Sequence, residues 1–462
     1  MPNHLLTFLK LHKVSLVLMV ICLALYYTFA YHLDRTDFIK LITLFATLFF
    51  LCFKLIQFEK WNFKFLVAVG VLFRLVFLFA EPNLSQDFYR FIWDGELVRN
   101  GMNPYLFLPD DLITQKDLLI ANAKELHNGM GSLSARHFSN YPPLNQLIFA
   151  LTAILGGKSI IGASIAMRLS IIVADVGIVY FGRKLLKNLN RSPHLIFWYF
   201  LNPLIIIELT GNLHFEGVML FFFVWALYLL SINKWMLAAV VYALSISVKL
   251  VPLMFLPLFL MYLGIKKSVF FYLIVATTSL LLLIPFFAPE FISNYSDTVG
   301  LWFSNFEFNA GLYNLIKKIA VLDGAKPWEL IKTYGKITPY LVIAATLLLT
   351  FFGKNRKLQN LITNMLWVLT FYYFLSATVH PWYIIFLVVL AIFTDYRYAL
   401  LWSAVVVLSY YAYSLSDFKE NLWLLTVEYL VVYGFLIYEI ITVSGKKVLF
   451  RKKDGSNYAS SN

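Results

Sequence analysis

The sequence is short of charged residues. Asp, Glu, Lys and Arg make up 14% of its 462 residues, whereas a soluble domain contains about 25%. Its two cysteines, Cys22 and Cys52, both fall in apolar runs and predict neither a disulfide framework nor a metal site. The sequence also lacks a P-loop, a dinucleotide-binding glycine motif in context and a serine nucleophile elbow. These absences argue against ATP hydrolysis and dinucleotide chemistry.

Hydrophobic residues instead make up 60% of the chain. They form runs of about 16 to 25 residues, and a helix of about 20 crosses the hydrocarbon of a bilayer. The runs lack the period-two alternation of a β-barrel. The sequence therefore predicts an all-α, polytopic membrane protein of about 14 transmembrane helices, with interfacial helices in an outer loop. We expect one membrane domain over residues 1–445 and a basic cytoplasmic tail over 446–462.

The basic residues predict the orientation. Lys and Arg cluster at both ends and after alternate apolar runs, which places both termini in the cytoplasm. The loop 81–141 and the turns at Lys249 and His380 then face outward. The run 142–156 is short and begins with two prolines, so we interpret it as a short, tilted or re-entrant helix. The net charge of +13 fits these loops and anionic headgroups, and we expect no nucleic-acid partner.

The segment 85–98 follows the third apolar run and is unusually polar. On a helix at 100° per residue, Asp87, Arg90 and Asp94 share one narrow face. Either this polar stripe faces a cavity, or the helix is interfacial with an i,i+4 pair between Arg90 and Asp94 and no chemistry. If it is catalytic, we favour Asp87 as the base, with Asp94 about 10 Å further along as a structural or acceptor-orienting partner.

Further polar residues fall on the same predicted side of the membrane: Asn212, His214, Glu216, Lys249 and His380. A lone histidine at a helix end is usually structural, but this grouping favours a site, because ionisable groups in a bilayer need a cavity or a partner. The spacing of His214 and Glu216 does not suit metal ligation, so we expect no metal and no cofactor.

Three charged residues lie within or near the ends of apolar runs. Arg168 and Asp175 are two helical turns apart, and we expect a structural ion pair between them. Arg74 lies near the end of the third run and would either extend to the membrane surface or bind phosphate.

Six short motifs together resemble the GT-C membrane glycosyltransferases, in particular the mannosyltransferases that use polyprenyl-phosphate mannose. In order these are Asp-x-Tyr-Arg-x-x-Trp-Asp-Gly at 87–95, Gly-x-Asn-Pro-Tyr at 101–105, Tyr-Pro-Pro-Leu at 141–144, His-Phe-Glu-Gly at 214–217, Lys-Leu-Val-Pro at 249–252 and His-Pro-Trp-Tyr at 380–383. No single motif identifies the family. The resemblance depends on the order of the motifs along the chain and on their common predicted side of the membrane.

The resemblance implies an inverting transfer in which Asp87 deprotonates the acceptor hydroxyl and polyprenyl phosphate leaves. Lys249, Arg90 or His380 would lie near the phosphate. It also implies a polyprenyl-phosphate sugar donor entering from the membrane lipid, a lipid or glycan acceptor, and a bacterial inner membrane location with the site on the extracytoplasmic side. The implied substrate-binding residues are Tyr89, Arg90, Asp94, Asn103, Tyr105, Asn212, His214, Glu216, Lys249 and His380.

Two features depart from the family pattern. Asp87 is a lone acid preceded by Ser85-Gln86, where many relatives have two adjacent acids, and two spans precede the one that leads into this loop, where many relatives have one. Two alternatives also stay open: a transporter or flippase of lipid-linked sugars, which would predict repeats and midplane charges, and a polysaccharide polymerase or ligase. Mannose is the sugar that the resemblance favours.

Overall fold

The computed structural model describes residues 11–415 and 417–456 of the chain. The regular structure of this part is helical, and its one extended pairing is an isolated β-bridge between Phe308 and Thr378. The all-α class expected from the sequence is confirmed. Residues 446–456 of the expected tail continue the last helix, and residues 457–462 lie outside the described part.

The helices follow the apolar runs of the sequence. In chain order they are α1 Lys13–His32, α2 Phe38–Phe58, α3 Phe63–Leu75, α4 Asp87–Arg99, α5 Pro109–Leu112, α6 Ala123–Ala135, α7 Pro143–Gly156, α8 Ile160–Asn188, α9 Phe197–Phe200, α10 Pro203–Ile205, α11 Glu216–Ser231, α12 Trp235–Val248, α13 Phe259–Leu263, α14 Ile265–Leu283, α15 Phe291–Ser304, α16 Leu312–Leu322, α17 Pro327–Phe352, α18 Leu358–Leu375, α19 Ile384–Ile392, α20 Tyr398–Val405 and α21 Leu422–Ser456. Short 3₁₀ helices lie at Pro193–Ile196, Val251–Leu258, Ile284–Phe286, Pro381–Tyr383 and Val406–Ser414, and a π-helical turn lies at Ile206–Gly211.

Six helices of the described part are long and apolar enough to cross a membrane: α1, α2, α8, α14 with the 3₁₀ turn that follows it, α17, and residues Leu422–Val443 of α21. The pair Pro193–Phe200 and Pro203–Gly211, bent by 52°, would add a seventh if it forms one span. These helices define a multi-pass membrane protein.

Six shorter apolar helices of 10–17 residues lie among the long ones. One of them is α7, whose 14 residues span about 21 Å, less than the roughly 30 Å of bilayer hydrocarbon. It is the short helix expected after Pro142. Whether the shorter helices cross does not follow from their length, and the expected total of about 14 crossings stays a prediction.

Helix α4 packs closely against α7 because Gly95 has no side chain. A Cβ added at Gly95 would lie 2.4 Å from the carbonyl oxygen of Phe149 in α7. At the other end of α4, Gly101 adopts a φ of +74°, a left-handed conformation that glycine tolerates, and the chain turns away. Gly95 therefore allows a close helix contact and Gly101 allows a turn. They fix where the first residues of α4 lie relative to the rest of the bundle.

A fully buried ion pair holds α3 against α8. Arg74 donates from Nε to Oδ2 of Asp175 at 2.7 Å and from Nη1 to the carbonyl oxygens of Gly70 and Phe200. The hydroxyl of Tyr199 donates to the other Asp175 oxygen at 2.5 Å. Arg74 therefore neither extends to the surface nor faces the candidate site described below.

The expected pair between Arg168 and Asp175 is wrong. Arg168 instead donates to three backbone carbonyls, those of Thr210 at 2.9 Å, Leu78 at 3.1 Å and Gly211 at 3.2 Å. The π-helical turn that ends at Gly211 leaves carbonyl groups without helical partners, and a guanidinium with several donors can satisfy them. Asp175 was assigned to the nearest cation in sequence, but its partner is 101 residues away.

Asp175→Ala should destabilise the protein by about 3 kcal/mol or more, because it leaves Arg74 as a buried charge without a counter-ion. Thermal unfolding of the detergent-solubilised protein measures this. Glu329→Ala is the matched control, since it breaks the Lys326–Glu329 pair, whose side chains are 59% and 63% exposed. That change should stay below about 0.5 kcal/mol. Equally small effects of both variants would contradict the role of the Arg74–Asp175 pair.

Candidate active site

Asp87 is the first residue of α4 and is half-buried. Its backbone N–H donates to the hydroxyl of Ser85 at 3.3 Å, which fixes the entry into the helix. A carboxylate at a helix N-terminus is stabilised by the unpaired N–H groups of the first turn. Among the described residues, no side chain forms a hydrogen bond or an ion pair with the Asp87 carboxylate. It is therefore available to a ligand.

Arg90 and Asp94 form the i,i+4 pair expected from the sequence, with 2.7 Å between Nε and Oδ1. Asp94 is fully buried, and its second oxygen accepts hydrogen bonds from Ser139 at 2.5 Å and Gln146 at 3.1 Å. Arg90 also donates to the carbonyl oxygens of Ser134 and His137. This network ties α4 to α6, to the segment after α6 and to α7, and it uses both oxygens of Asp94.

A cavity of about 560 Å³ opens beside Asp87. Segments far apart in sequence build its wall: the loop after α1, the start of α4, the segment 133–142, the break after α12, parts of α17 and α18, the turn at 376–383, and the residues Tyr413 and Phe418. The described lining holds two carboxylates, Asp87 and Glu216, and three cations, Arg35, Arg90 and Lys249. His380 lines it as well. Four charged residues that the sequence singled out, together with His380, thus share one cavity.

Glu216 and Lys249 neutralise each other across the cavity wall. Glu216 begins α11, and Lys249 follows α12 in an extended conformation, after which a 3₁₀ helix starts at Val251. The Lys249 ammonium donates to Oε1 of Glu216, and the lysine side chain stays 24% exposed. The turn expected at Lys249 is confirmed, because the helix ends at Val248. It directs a cation into the cavity that still has protons to donate.

His380 is enclosed between aromatic rings. The indole of Trp382 stacks on one face at 4.3 Å and 4°, and the ring of Phe308 stacks at 5.1 Å. The bridge between Phe308 and the 377–379 segment holds this arrangement in place. Burial first, and then the nearby His214, Lys249 and Arg35, lower the pKa of His380 to about 3. At neutral pH the imidazole is uncharged, so it supplies hydrogen bonding rather than positive charge to the cavity.

Asn212 and His214 lie behind the cavity wall. The Asn212 amide donates to Oε2 of the buried Glu208 at 3.1 Å, and its oxygen accepts from the backbone N–H of Leu84. Nδ1 of His214 lies 3.3 Å from the same Glu208 oxygen, and its ring centre lies 3.9 Å from that of Trp382 with the two rings tilted by 47°. Asn212 thereby positions the chain just before Asp87, and His214 supports the stack that holds His380.

Tyr89, Asn103 and Tyr105 also lie outside the described cavity lining. The Tyr89 hydroxyl donates to Glu81 at 2.5 Å, and Asn103 donates to the carbonyl of Phe286 at 2.7 Å. The buried Tyr105 donates to the carbonyl oxygen of Tyr141, a residue of the wall. These contacts order the outer segment around the cavity.

Sequence reasoning missed Arg35, which lies in the short loop between α1 and α2 and lines the cavity. A signal for it was present. Under the expected topology this loop faces outward, and an arginine in a short outward loop goes against the usual preference of basic residues for the cytoplasmic side. Such an exception is a reason to look for a partner.

Among the described residues, no three His, Cys, Asp or Glu side chains come together as a group that could hold a metal ion.

The family of the chain follows from comparison with known sequences. The family model described as alpha-(1->6)-mannopyranosyltransferase, N-terminal domain, matches residues 17–264, which is more than half of the chain. The chain belongs to this family. The match confirms the resemblance to GT-C mannosyltransferases that the motifs gave, and it runs from within α1 to the end of α13 and includes Arg35, Asp87, Glu216 and Lys249.

Two curated relatives are similar to the chain at low identity. Alpha-(1->6)-mannopyranosyltransferase A of Mycobacterium tuberculosis is 22% identical over 340 residues, which cover 68% of this chain and 62% of that protein. Alpha-(1->6)-mannopyranosyltransferase B of Corynebacterium glutamicum is 26% identical over 146 residues, which cover 31% of this chain and 23% of that protein. The aligned part is thus less than two thirds of the length of either relative.

The depressed pKa of His380 predicts a pH-dependent stability. As the pH falls below about 6.5, the unfolded chain protonates His380 while the folded protein does not until about pH 3. Stability from the neutral imidazole is therefore complete above this window and lost through it, by up to about 1.4 kcal/mol per pH unit. As the pH is lowered from about 8 to 4, the melting temperature should fall more steeply for the wild type than for His380→Gln. Parallel curves would show that His380 titrates normally.

Proposed function

We propose that the chain is an inverting mannosyltransferase that moves mannose from a polyprenyl-phosphate donor to a hydroxyl of a lipid or glycan acceptor. The observation that carries the proposal is the Asp87 carboxylate, which is half-buried in the cavity and unpaired among the described residues. Family membership supports it, as do the relatives' names, which describe transfer to a 6-position. In a sugar that position is a primary hydroxyl.

The reaction needs one base and one stabilised leaving group. The acceptor O–H gives its proton to an Asp87 oxygen while the acceptor oxygen bonds to the anomeric carbon of the donor. The bond from that carbon to the phosphate oxygen breaks, and polyprenyl phosphate leaves with the electron pair. A carboxylate base must lie within about 3 Å of the hydroxyl, or act through one water. Because no described residue competes for its oxygens, Asp87 meets this need and Asp94 does not.

Positive charge near the cavity would stabilise the departing phosphate. Of the two paired cations, Lys249 is the better placed, because its ammonium has three protons and uses one on Glu216. Arg90 uses Nε and Nη1 on Asp94 and on two backbone carbonyls. Neutral His380 would form a hydrogen bond with a hydroxyl of the transferred sugar.

The donor's lipid chain is proposed to leave the cavity beside α17. Gly335 and Thr338 of α17, Tyr372 of α18 and Val251 line this side. In the apolar window of α17 only 22% of the residues are buried within the protein, so most of the helix is left to contact lipid. A mostly apolar wall that borders lipid is where an isoprenoid chain can extend without entering water.

We further propose the topology expected from the sequence, with about 14 crossings, both termini in the cytoplasm and the site on the outer face of a bacterial inner membrane. Its support is that the 87–94, Lys249 and His380 segments meet at one cavity, as a common side requires. A cysteine introduced at exposed Arg136 should react with a membrane-impermeant thiol reagent on intact cells.

Asp87→Asn should lower mannose transfer by about 10² or more while the fold and donor binding persist, because the amide keeps the shape of the side chain and cannot accept the proton. Transfer from radiolabelled polyprenyl-phosphate mannose by the purified protein measures this. Asp110→Asn is the matched control in the same outer segment, since Asp110 pairs with His127 and does not line the cavity.

Asp94→Asn separates the two acids of α4. Transfer that survives in Asp87→Asn and is abolished in a folded Asp94→Asn protein would reverse their roles. Normal transfer in both variants would contradict the mechanism, and lipid-linked sugar movement without transfer would favour a flippase.

Lys249→Ala should weaken donor binding by about tenfold or more, the effect of losing a charge-assisted hydrogen bond. The donor's apparent dissociation constant is the measurement. Lys249→Ala/Glu216→Gln is the control, because it removes the carboxylate that the first change leaves unpaired. Donor binding should stay weak in the double variant if Lys249 contacts the phosphate, and recovery there would assign the defect to Glu216.

A further inference from the structure

Arg35 is held at the cavity by the loop between α1 and α2. Its guanidinium carbon lies 3.4 Å from the centre of the Tyr413 ring, and Arg35 and Tyr413 both line the cavity. Three residues on, Phe38 packs edge-on against Tyr411 at 5.2 Å, so the loop is docked against the 3₁₀ helix Val406–Ser414. Nε of Arg35 is enclosed and has no hydrogen-bond partner among the described residues.

The acids nearest to Arg35 in sequence are used by the loop itself. Asp34 accepts hydrogen bonds from the backbone N–H and the hydroxyl of Thr36, at 2.9 Å and 2.8 Å. Asp37 caps α2 by accepting from the N–H of Lys40 at 3.0 Å. Neither forms an ion pair with Arg35, so the loop presents its cation to the cavity with the charge uncompensated.

Two charged groups of the cavity lining, Arg35 and Asp87, have no ion-pair partner among the described residues. Arg90 is paired with Asp94 and Lys249 with Glu216, whereas Arg35 has no carboxylate within ion-pair distance in the described part of the chain. Asp87 is likewise unpaired among these residues. Both Arg35 and Asp87 interact electrostatically with Tyr413. A cation and an anion that share a cavity without touching leave room for a molecule that presents a negative group to one and a proton to the other.

We propose that Arg35 binds the phosphate of the lipid-linked donor and of the polyprenyl phosphate that leaves. This inference rests on the proposed function and adds a third cation to it. A guanidinium offers a planar fork of N–H donors that matches two phosphate oxygens. Arg35, Lys249 and His380 line the same cavity, and in this proposal the phosphate lies between the two cations. Asp87 then faces the acceptor side.

The charge of the ligand gives the inference a specific signature. The donor is a phosphodiester with one negative charge, whereas the leaving polyprenyl phosphate is a monoester with a charge of about −1.5 to −2 at pH 7. Loss of the Arg35 charge should therefore weaken binding of polyprenyl phosphate more than binding of the donor. A role confined to packing on Tyr413 would not distinguish the two.

The test compares polyprenyl phosphate with polyprenol of the same chain length, which lacks the phosphate, as ligands of the detergent-solubilised full chain. Arg35→Gln should weaken polyprenyl phosphate binding about 10- to 100-fold and leave polyprenol binding unchanged. Arg35→Lys, which keeps the charge and loses the fork, should weaken it by less. Arg136→Gln is the matched control, since Arg136 is exposed, donates to the carbonyl of Ser132 and lies outside the cavity lining.

Three results would overturn the inference: equal binding of polyprenyl phosphate by Arg35→Gln and wild type, equal loss of both ligands, or displacement of polyprenyl phosphate from the wild type by equimolar phosphatidylglycerol, which would indicate a site for bulk lipid headgroups. If Arg35→Gln does not fold, the Arg35→Lys comparison decides. A wild type that binds polyprenyl phosphate through Arg35 but transfers no mannose would contradict the proposed function and uphold this site.

Discussion

The ion pair between Arg90 and Asp94 is the contact on which the candidate site depends. It lies inside α4, yet its remaining hydrogen bonds reach Ser134, Ser139 and Gln146, so it joins three segments of the outer region to one helix. Asp94 is fully buried, and an enclosed carboxylate without its partner is costly. The pair therefore fixes both the rotation of α4 and the direction in which Asp87, two turns earlier, enters the cavity.

A broader constraint follows from the scarcity of charge in this chain. Each ionisable group enclosed by apolar helices needs a counter-charge or hydrogen bonds, and Arg74, Arg168 and Glu208 have them. Around the cavity Arg90 and Lys249 each have a counter-charge, whereas Asp87 and Arg35 form no ion pair within the described part of the chain. Both groups are half-buried in the lining of one cavity, and we propose that they face the two ends of a ligand.

The sequence predicted the parts of this arrangement that are local. The common face of Asp87, Arg90 and Asp94 follows from helical periodicity, and the break at Lys249 follows from Pro252. The parts that depend on distant contacts were not predictable. Asp175 pairs with Arg74, which is 101 residues away. Arg35 reaches the cavity because α2 packs beside the Val406–Ser414 helix. A single sequence does not show which distant residues are in contact. The position of Arg35 in an outward loop was therefore the one sequence feature that pointed to its role.

The buried, aromatic surroundings of His380 determine its charge in the cavity. Stacked between Trp382 and Phe308 and near three cationic or protonatable side chains, the imidazole cannot take up a proton at neutral pH. In the proposed reaction, a protonated histidine there would add charge where we place the neutral sugar. The described lining therefore contains an unpaired cation at Arg35, an uncharged imidazole at His380 and an unpaired carboxylate at Asp87. In the proposed reaction these groups would serve the phosphate, the transferred sugar and the acceptor hydroxyl respectively.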